Sequence, residues 1–198
     1  MVKGELTRQR ILEAAAPIFN RRGFSGCSMQ DVMDATGLEK GGLYRHFSSK
    51  EELAVEALKF ALARSVRTRT DDLENIESSL AKLRFAVRRF IETPSIMPGG
   101  CPLMNAAIDS DDGNPALRQV ARAAFLGWKT RLCGIIEAGI QRGEIRETTK
   151  PLSVANTLIA TLEGALMMSR IEDTQEPLRD AQAMIEGLLD GIAADVNA

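Results

Sequence analysis

The run from Ser28 to Lys50, SMQDVMDATGLEKGGLYRHFSSK, constrains this chain more than any other stretch. It reads as two short helices around a tight turn. Ser28 and Asp31 have the spacing of a capping box, with Asp in place of the usual Glu, and predict a helix start. Val32 and Ala35 are expected to point inward, with Met29 assisting. Thr36-Gly37-Leu38 supplies the turn, because Gly37 adopts positive φ without penalty. A second helix is expected over Glu39 to Phe47, with Leu43 and Phe47 four residues apart on its buried side. Ser49 and Glu52 form a second capping box, which opens a further helix to about Thr68.

The flanking sequence is helical in period. Residues 7–22 form an amphipathic helix capped by Thr7, with Ile11, Ala15, Ile18 and Phe19 on one face. Pro17 inside it predicts a kink, and Gly23 after Arg21-Arg22 a stop. Further helices are expected at 72–92, 101–109, 115–142, 152–171 and 177–195, with a break at 93–100 and dense turn signals at 110–115. Runs with period two are hard to find, so the fold is read as all-α.

Charge is uneven. The whole chain carries a formal −2, yet residues 1–50 hold eight Lys and Arg against five Asp and Glu. A basic head on an acidic body suits a head that meets a polyanion. Three cysteines without a CxxC pair suit a reducing compartment. With no apolar leader, and no apolar run approaching about 18 residues, the chain is expected in the cytoplasm and not in a membrane. A single His, no cluster at metal-ligand spacing, no Gly-rich phosphate loop and no nucleophile elbow argue against an enzyme, a metal or a cofactor.

Two short helices joined by a Gly turn follow the helix-turn-helix plan, in which the second helix enters the DNA major groove. Lys40 starts that helix and reaches a base edge or phosphate; Arg45 serves either. Tyr44 and His46 offer donors to phosphate oxygens. Ser28 and Lys50 stand at helix N-termini, where free N–H groups favour an anion. Gly41 and Gly42 weaken the helix by about 1 kcal/mol each. They present no side chain, so either the backbone approaches DNA closely there or a base contact is simply missing.

The block Gly23-Phe24, Ser28, Thr36-Gly37-Leu38 and Lys40-Gly41-Gly42-Leu43-Tyr44-x-His46-Phe47-x-Ser49-Lys50-Glu51-Glu52-Leu53 resembles the N-terminal signature of the TetR/AcrR family of bacterial transcriptional regulators. Val32-Met33, Thr36 and Gly42 depart from its commoner residues. The resemblance implies a three-helix helix-turn-helix domain at 1–50 and a larger helical ligand-binding and dimerisation domain at 51–198, about nine helices in all. It implies a homodimer on a palindromic operator of double-stranded DNA, released by a small-molecule ligand. An activator of the same family, and a helical adaptor that has lost DNA binding, are the rival readings.

In the body, Phe85, Met97, Met104, Trp128 and Met167 are candidate cavity walls, with Asn105 and Glu163 as polar groups among apolar runs. Cys101, at a helix N-terminus, is a candidate sensor of electrophiles or a small buried residue beside a turn. Ala160, Gly164, Ala165 and Met168, with Met184, Gly187, Leu188 and Gly191, form small and apolar faces suited to a four-helix dimer contact.

Overall fold

The computed structural model describes residues 3–93, 95 and 97–194. Pro94 and Ile96 of the expected break, and Asp195 at the expected end of the last helix, lie outside the described residues. Among the described residues nine α-helices follow in order: α1 (Lys3–Arg22), α2 (Met29–Thr36), α3 (Lys40–Tyr44), α4 (Lys50–Thr70), α5 (Ser79–Glu92), α6 (Pro102–Asp109), α7 (Pro115–Gln141), α8 (Pro151–Glu172) and α9 (Glu176–Ile192), with one 3₁₀ turn at Leu73–Asn75. No strand occurs among the described residues, and the all-α expectation holds.

Two compact units are interleaved along the chain: Met1–Val66 with Ser95–Phe125, and Arg67–Pro94 with Leu126–Ala198. In the first, Ile11, Leu12, Ala15 and Ala16 of α1 pack with Cys27, Val32, Leu43, Phe47, Leu53, Ala57, Ala61 and Met97. Burial pushes the Cys27 thiol pKa up. α1 continues through Pro17, and Gly23 stops it at φ +71. Arg8 ties α1 to α4 by a 3.0 Å bond to Glu56 and lies 4.8 Å from the centre of the Phe47 ring. Ala35, expected inside, is exposed. With Thr7, Arg10, Ala14 and Leu38 it lines a cleft of about 350 Å³.

In the second unit α5 begins at Ser79, not near residue 72. Its N-terminus is capped locally by Ser78, whose hydroxyl accepts the Ala81 N–H at 3.3 Å, and again from afar. The Glu144 carboxylate accepts from the Ser79 N–H at 2.7 Å and the Ser78 hydroxyl at 2.8 Å, an anion at a helix N-terminus. Arg142 bonds both Glu144 and the buried Ser79 hydroxyl. Gly139 allows this closeness, since a Cβ there would meet Ile145 at 2.6 Å and Ser79 at 2.8 Å. Arg84 of α5 grips Glu186 and Asp190 of α9. α8 packs against α9 through Ala165, Leu178 and Ala181.

Candidate nucleic-acid interface

The capping box at α2 is present in full. Ser28 Oγ accepts from the Asp31 N–H at 3.2 Å, and Asp31 Oδ2 accepts from the Ser28 N–H at 2.7 Å. The same carboxylate oxygen accepts the Ser28 hydroxyl at 2.6 Å, and Arg22 reaches Oδ1 at 2.7 Å. The bonds from Ser28 hold the Asp31 carboxyl below the usual carboxylate range. A hydroxyl has one proton to give, and here it goes to Asp31. The N-terminus of α2 is thus already occupied by a carboxylate, and Ser28 serves the helix before any phosphate.

Gly37, at φ +67, caps α2 by donating to Met33 O at 2.8 Å. Glu39 then turns the chain into α3 without a side-chain cap. α3 is shorter than the expected 39–47. Beyond its end the bonds are mixed, with the His46 N–H on Leu43 O at 3.0 Å in the i→i+3 pattern and the Phe47 N–H on the same oxygen at 3.1 Å. Two glycines in five residues leave little to extend it. Leu43 and Phe47 are fully buried and fix its orientation.

That anchoring leaves Lys40, Gly41, Tyr44 and Arg45 exposed, with Tyr44 at 42%. Lys40 Nζ lies 5.8 Å from the centre of the Tyr44 ring, so the two share one face of α3. His46 and Gly42 are half-buried. A Cβ on Gly41 would meet nothing, and one on Gly42 only the Leu38 side chain at 3.6 Å. Packing within the protein therefore requires neither glycine. Lys50 opens α4, half-buried, with Nζ 4.4 Å from the centre of the Phe24 ring. At the same helix start, Glu52 differs from its expected partner: its N–H donates to Ser49 Oγ, but its carboxylate accepts from the Ser48 N–H and hydroxyl. Those two bonds lower the Glu52 carboxyl pKa.

The eight ligand candidates divide between the two units. Met97 is buried in the core of the first. Cys101 is buried as the N-cap of α6, and Met104 is half-buried. Asn105 is a cross-link: its Nδ2 lies 3.1 Å from Asn20 O, 3.1 Å from Asn20 Oδ1 and 2.9 Å from Gly99 O. In the second unit Phe85 is flanked by the Arg88 and Arg89 guanidinium groups at 5.8 and 5.7 Å. Trp128 stacks on Phe90 at 5.9 Å, with Arg69 over the same Phe90 ring. Glu163 is half-buried, while Met167 is exposed.

Of the dimer candidates, Ala165 packs inside its own unit. Gly164 and Leu188 are half-buried, whereas Ala160, Met168, Met184, Gly187 and Gly191 are exposed. A Cβ on Gly164, Gly187 or Gly191 would enter open space. Leu152 and Ile171, unnamed by the sequence reading, extend the apolar surface of α8, with Ile171 exposed at 76%. Their apolar character at helical spacing was the available signal. Asp109, which ties α6 to the connector after α1, carried no such signal.

Residues 11–57 match the family described as bacterial regulatory proteins, tetR family. Residues 79–185 match the tetracyclin repressor-like C-terminal domain. The HTH-type transcriptional repressor DhaR of Mycobacterium sp. (strain GP1) is 30% identical over 172 residues, 86% of each chain. Among solved structures, a TetR-family transcriptional regulator from Cytophaga hutchinsonii superposes with a TM-score of 0.92 at 33% identity, covering 98% of both chains. A TetR transcriptional regulator from Chloroflexus aurantiacus J-10-FL gives 0.91 at 38% identity, over 98% of this chain and 99% of that one.

Proposed function

Because the chain belongs to the tetR family of bacterial regulatory proteins, DNA-binding transcriptional regulators that respond to ligands and are not enzymes, we propose that it binds a palindromic operator as a homodimer and represses until a small molecule releases it. Residues 1–50 carry the DNA contacts. Residues 51–198 carry ligand binding and dimerisation. With DNA as its partner, the protein works in the cytoplasm.

One observation carries the DNA reading: Lys40, Tyr44 and Arg45 stand exposed on a short helix and its C-cap, which fully buried Leu43 anchors to the core. Lys40 and Arg45 are assigned to base edges, since Gly41 and Gly42 have no side chain to read with. Tyr44, His46 and Lys50 are assigned to phosphates. Ser28 joins them only if phosphate displaces its hydroxyl from Asp31.

Dimerisation is supported by α8. By length and composition alone it is apolar enough to cross a membrane. One side explains part of this, for Val154, Ala155, Leu158, Ile159 and Leu162 are buried. The other side presents Leu152, Ala160, Met168 and Ile171 to solvent, and Met184 of α9 is exposed as well. Apolar surface of this kind calls for a cover, and a second copy meeting it across a two-fold axis supplies one. For the ligand, Met97 and Asn105 are taken up by packing and bonding within the first unit, so Phe85 and Trp128 are the contacts we assign.

Selection of bound duplexes from a random-sequence pool tests the reading. Enrichment of an inverted repeat is expected. Recovery of unrelated sequences at equal affinity would reject specific operator binding.

A further inference from the structure

Asp109 is the last residue of α6, and its Oδ2 accepts the backbone N–H of Phe24 at 2.8 Å. A Cβ on the preceding Gly23 would lie 2.6 Å from Asp109 Oδ1. Glycine is thus required there twice, for φ +71 and for entry of the carboxylate. The Phe24 ring in turn lies beneath the Lys50 ammonium at 4.4 Å, well within cation–π range. The end of α6, the connector between α1 and α2, and the start of α4 therefore form one relay from carboxylate to backbone to ring to ammonium. α6 is not free to drift from it. Asn105 bonds Asn20 and Gly99, and Asn20 Nδ2 donates to Pro98 O at 2.9 Å and Gly100 O at 3.2 Å.

We propose that Asp109 is a positioning residue for DNA binding: it fixes Phe24, whose ring holds the Lys50 ammonium where a phosphate meets it. The proposal rests on the reading of the head as the DNA interface. A lysine stem is flexible, and one held in place loses less freedom when it meets its phosphate. One DNA contact is thereby set from α6, outside the helix-turn-helix.

The test measures affinity against salt for the full-length protein, on a duplex it selects from a random-sequence pool. Lys50→Ala should reduce the slope of log K against log salt by about 0.9, the loss of one phosphate contact. Asp109→Ala should weaken binding about three- to fivefold, the share of a cation–π contact at a half-exposed site, and reduce the slope by part of the same amount. In the Lys50→Ala background it should add nothing further. Asp109→Asn keeps an acceptor for the Phe24 N–H and should restore both affinity and slope. Phe24→Leu should behave as Asp109→Ala does, and it decides the matter by the same criteria if Asp109→Ala does not fold. An unchanged slope, or equal weakening with and without Lys50, would overturn this proposal alone. Absence of salt-dependent binding by the wild-type protein would overturn the DNA reading, and this proposal with it.

Discussion

Asp31 holds Ser28 through a single carboxylate oxygen, which accepts both the backbone N–H at 2.7 Å and the hydroxyl at 2.6 Å. The hydroxyl also caps the Asp31 N–H, so the pair closes the start of α2 on itself. Ser28→Ala is expected to cost about 1 kcal/mol of stability, as cap removal does. Because that hydroxyl is already engaged, the salt slope of DNA binding should stay as in the wild type. Urea unfolding and salt titration of the same variant check both halves. A slope reduced by about 0.9 would instead make Ser28 a phosphate ligand.

The two cap carboxyls make the protein sensitive to acid. Hydrogen bonds from Ser28 lower the Asp31 pKa, and those from Ser48 lower that of Glu52. In the unfolded chain these groups titrate near about 3.9 and 4.3. Between those values and the lower folded ones, the unfolded state binds more protons, so stability rises with pH. The contribution is full above the unfolded values and is lost as the pH falls through the folded ones. Combining Asp31→Asn with Glu52→Gln should lower the melting temperature most above about pH 5. The gap to wild type should close as the solution is acidified. A constant gap across that range would contradict the assignment.

Gly41 has open space where a Cβ would stand. Gly41→Ala should therefore stabilise the protein by about 1 kcal/mol, the usual helix gain. If the backbone of α3 approaches DNA closely, the same variant should bind the selected duplex more weakly. Melting curves and a binding titration, run together, separate the two effects. Tighter binding would mean that a floppy helix, and not close approach, governs this position.

Local signals were legible wherever the bond partner lay within a few residues. The Ser28–Asp31 box, the Gly37 turn, and the buried Leu43 and Phe47 all follow from spacing. Several of the misses trace to a partner distant in sequence or to a competing neighbour. α5 starts at Ser79 because Ser78 caps it, and Glu144 bonds the Ser79 N–H from 65 residues away. Glu52 chose Ser48 over Ser49, a choice between adjacent hydroxyls that spacing does not decide. α3 ended early because two glycines in five residues weaken it, although the Phe47 N–H still reaches Leu43 O. Ala35 faces a cleft since α2 is only eight residues long and Val32 already fills the core side. The tie from Asp109 to Phe24 spans 85 residues, beyond any local pattern.

Ile171 and Met184 are exposed at 76% and 73% on α8 and α9. Replacing either with Glu places a charge in the proposed two-fold contact, where it would be buried without a partner. Ile171→Glu should sediment as a monomer at concentrations where wild type sediments as a dimer. It should also lose the tight binding that two half-sites confer. A dimeric Ile171→Glu protein would place the contact elsewhere.

Lys40 offers the sharpest test of the account. Affinities of wild type, Lys40→Ala and Tyr44→Ala are to be measured over a salt series, on the selected duplex and on a random one. The wild type should lose affinity linearly in log salt on both duplexes and prefer the selected one. Tyr44→Ala should weaken both alike, while Lys40→Ala should narrow the preference by about 1–3 kcal/mol. Equal loss on both duplexes for Lys40→Ala, or wild-type affinity indifferent to salt, would contradict a head that reads DNA through α3.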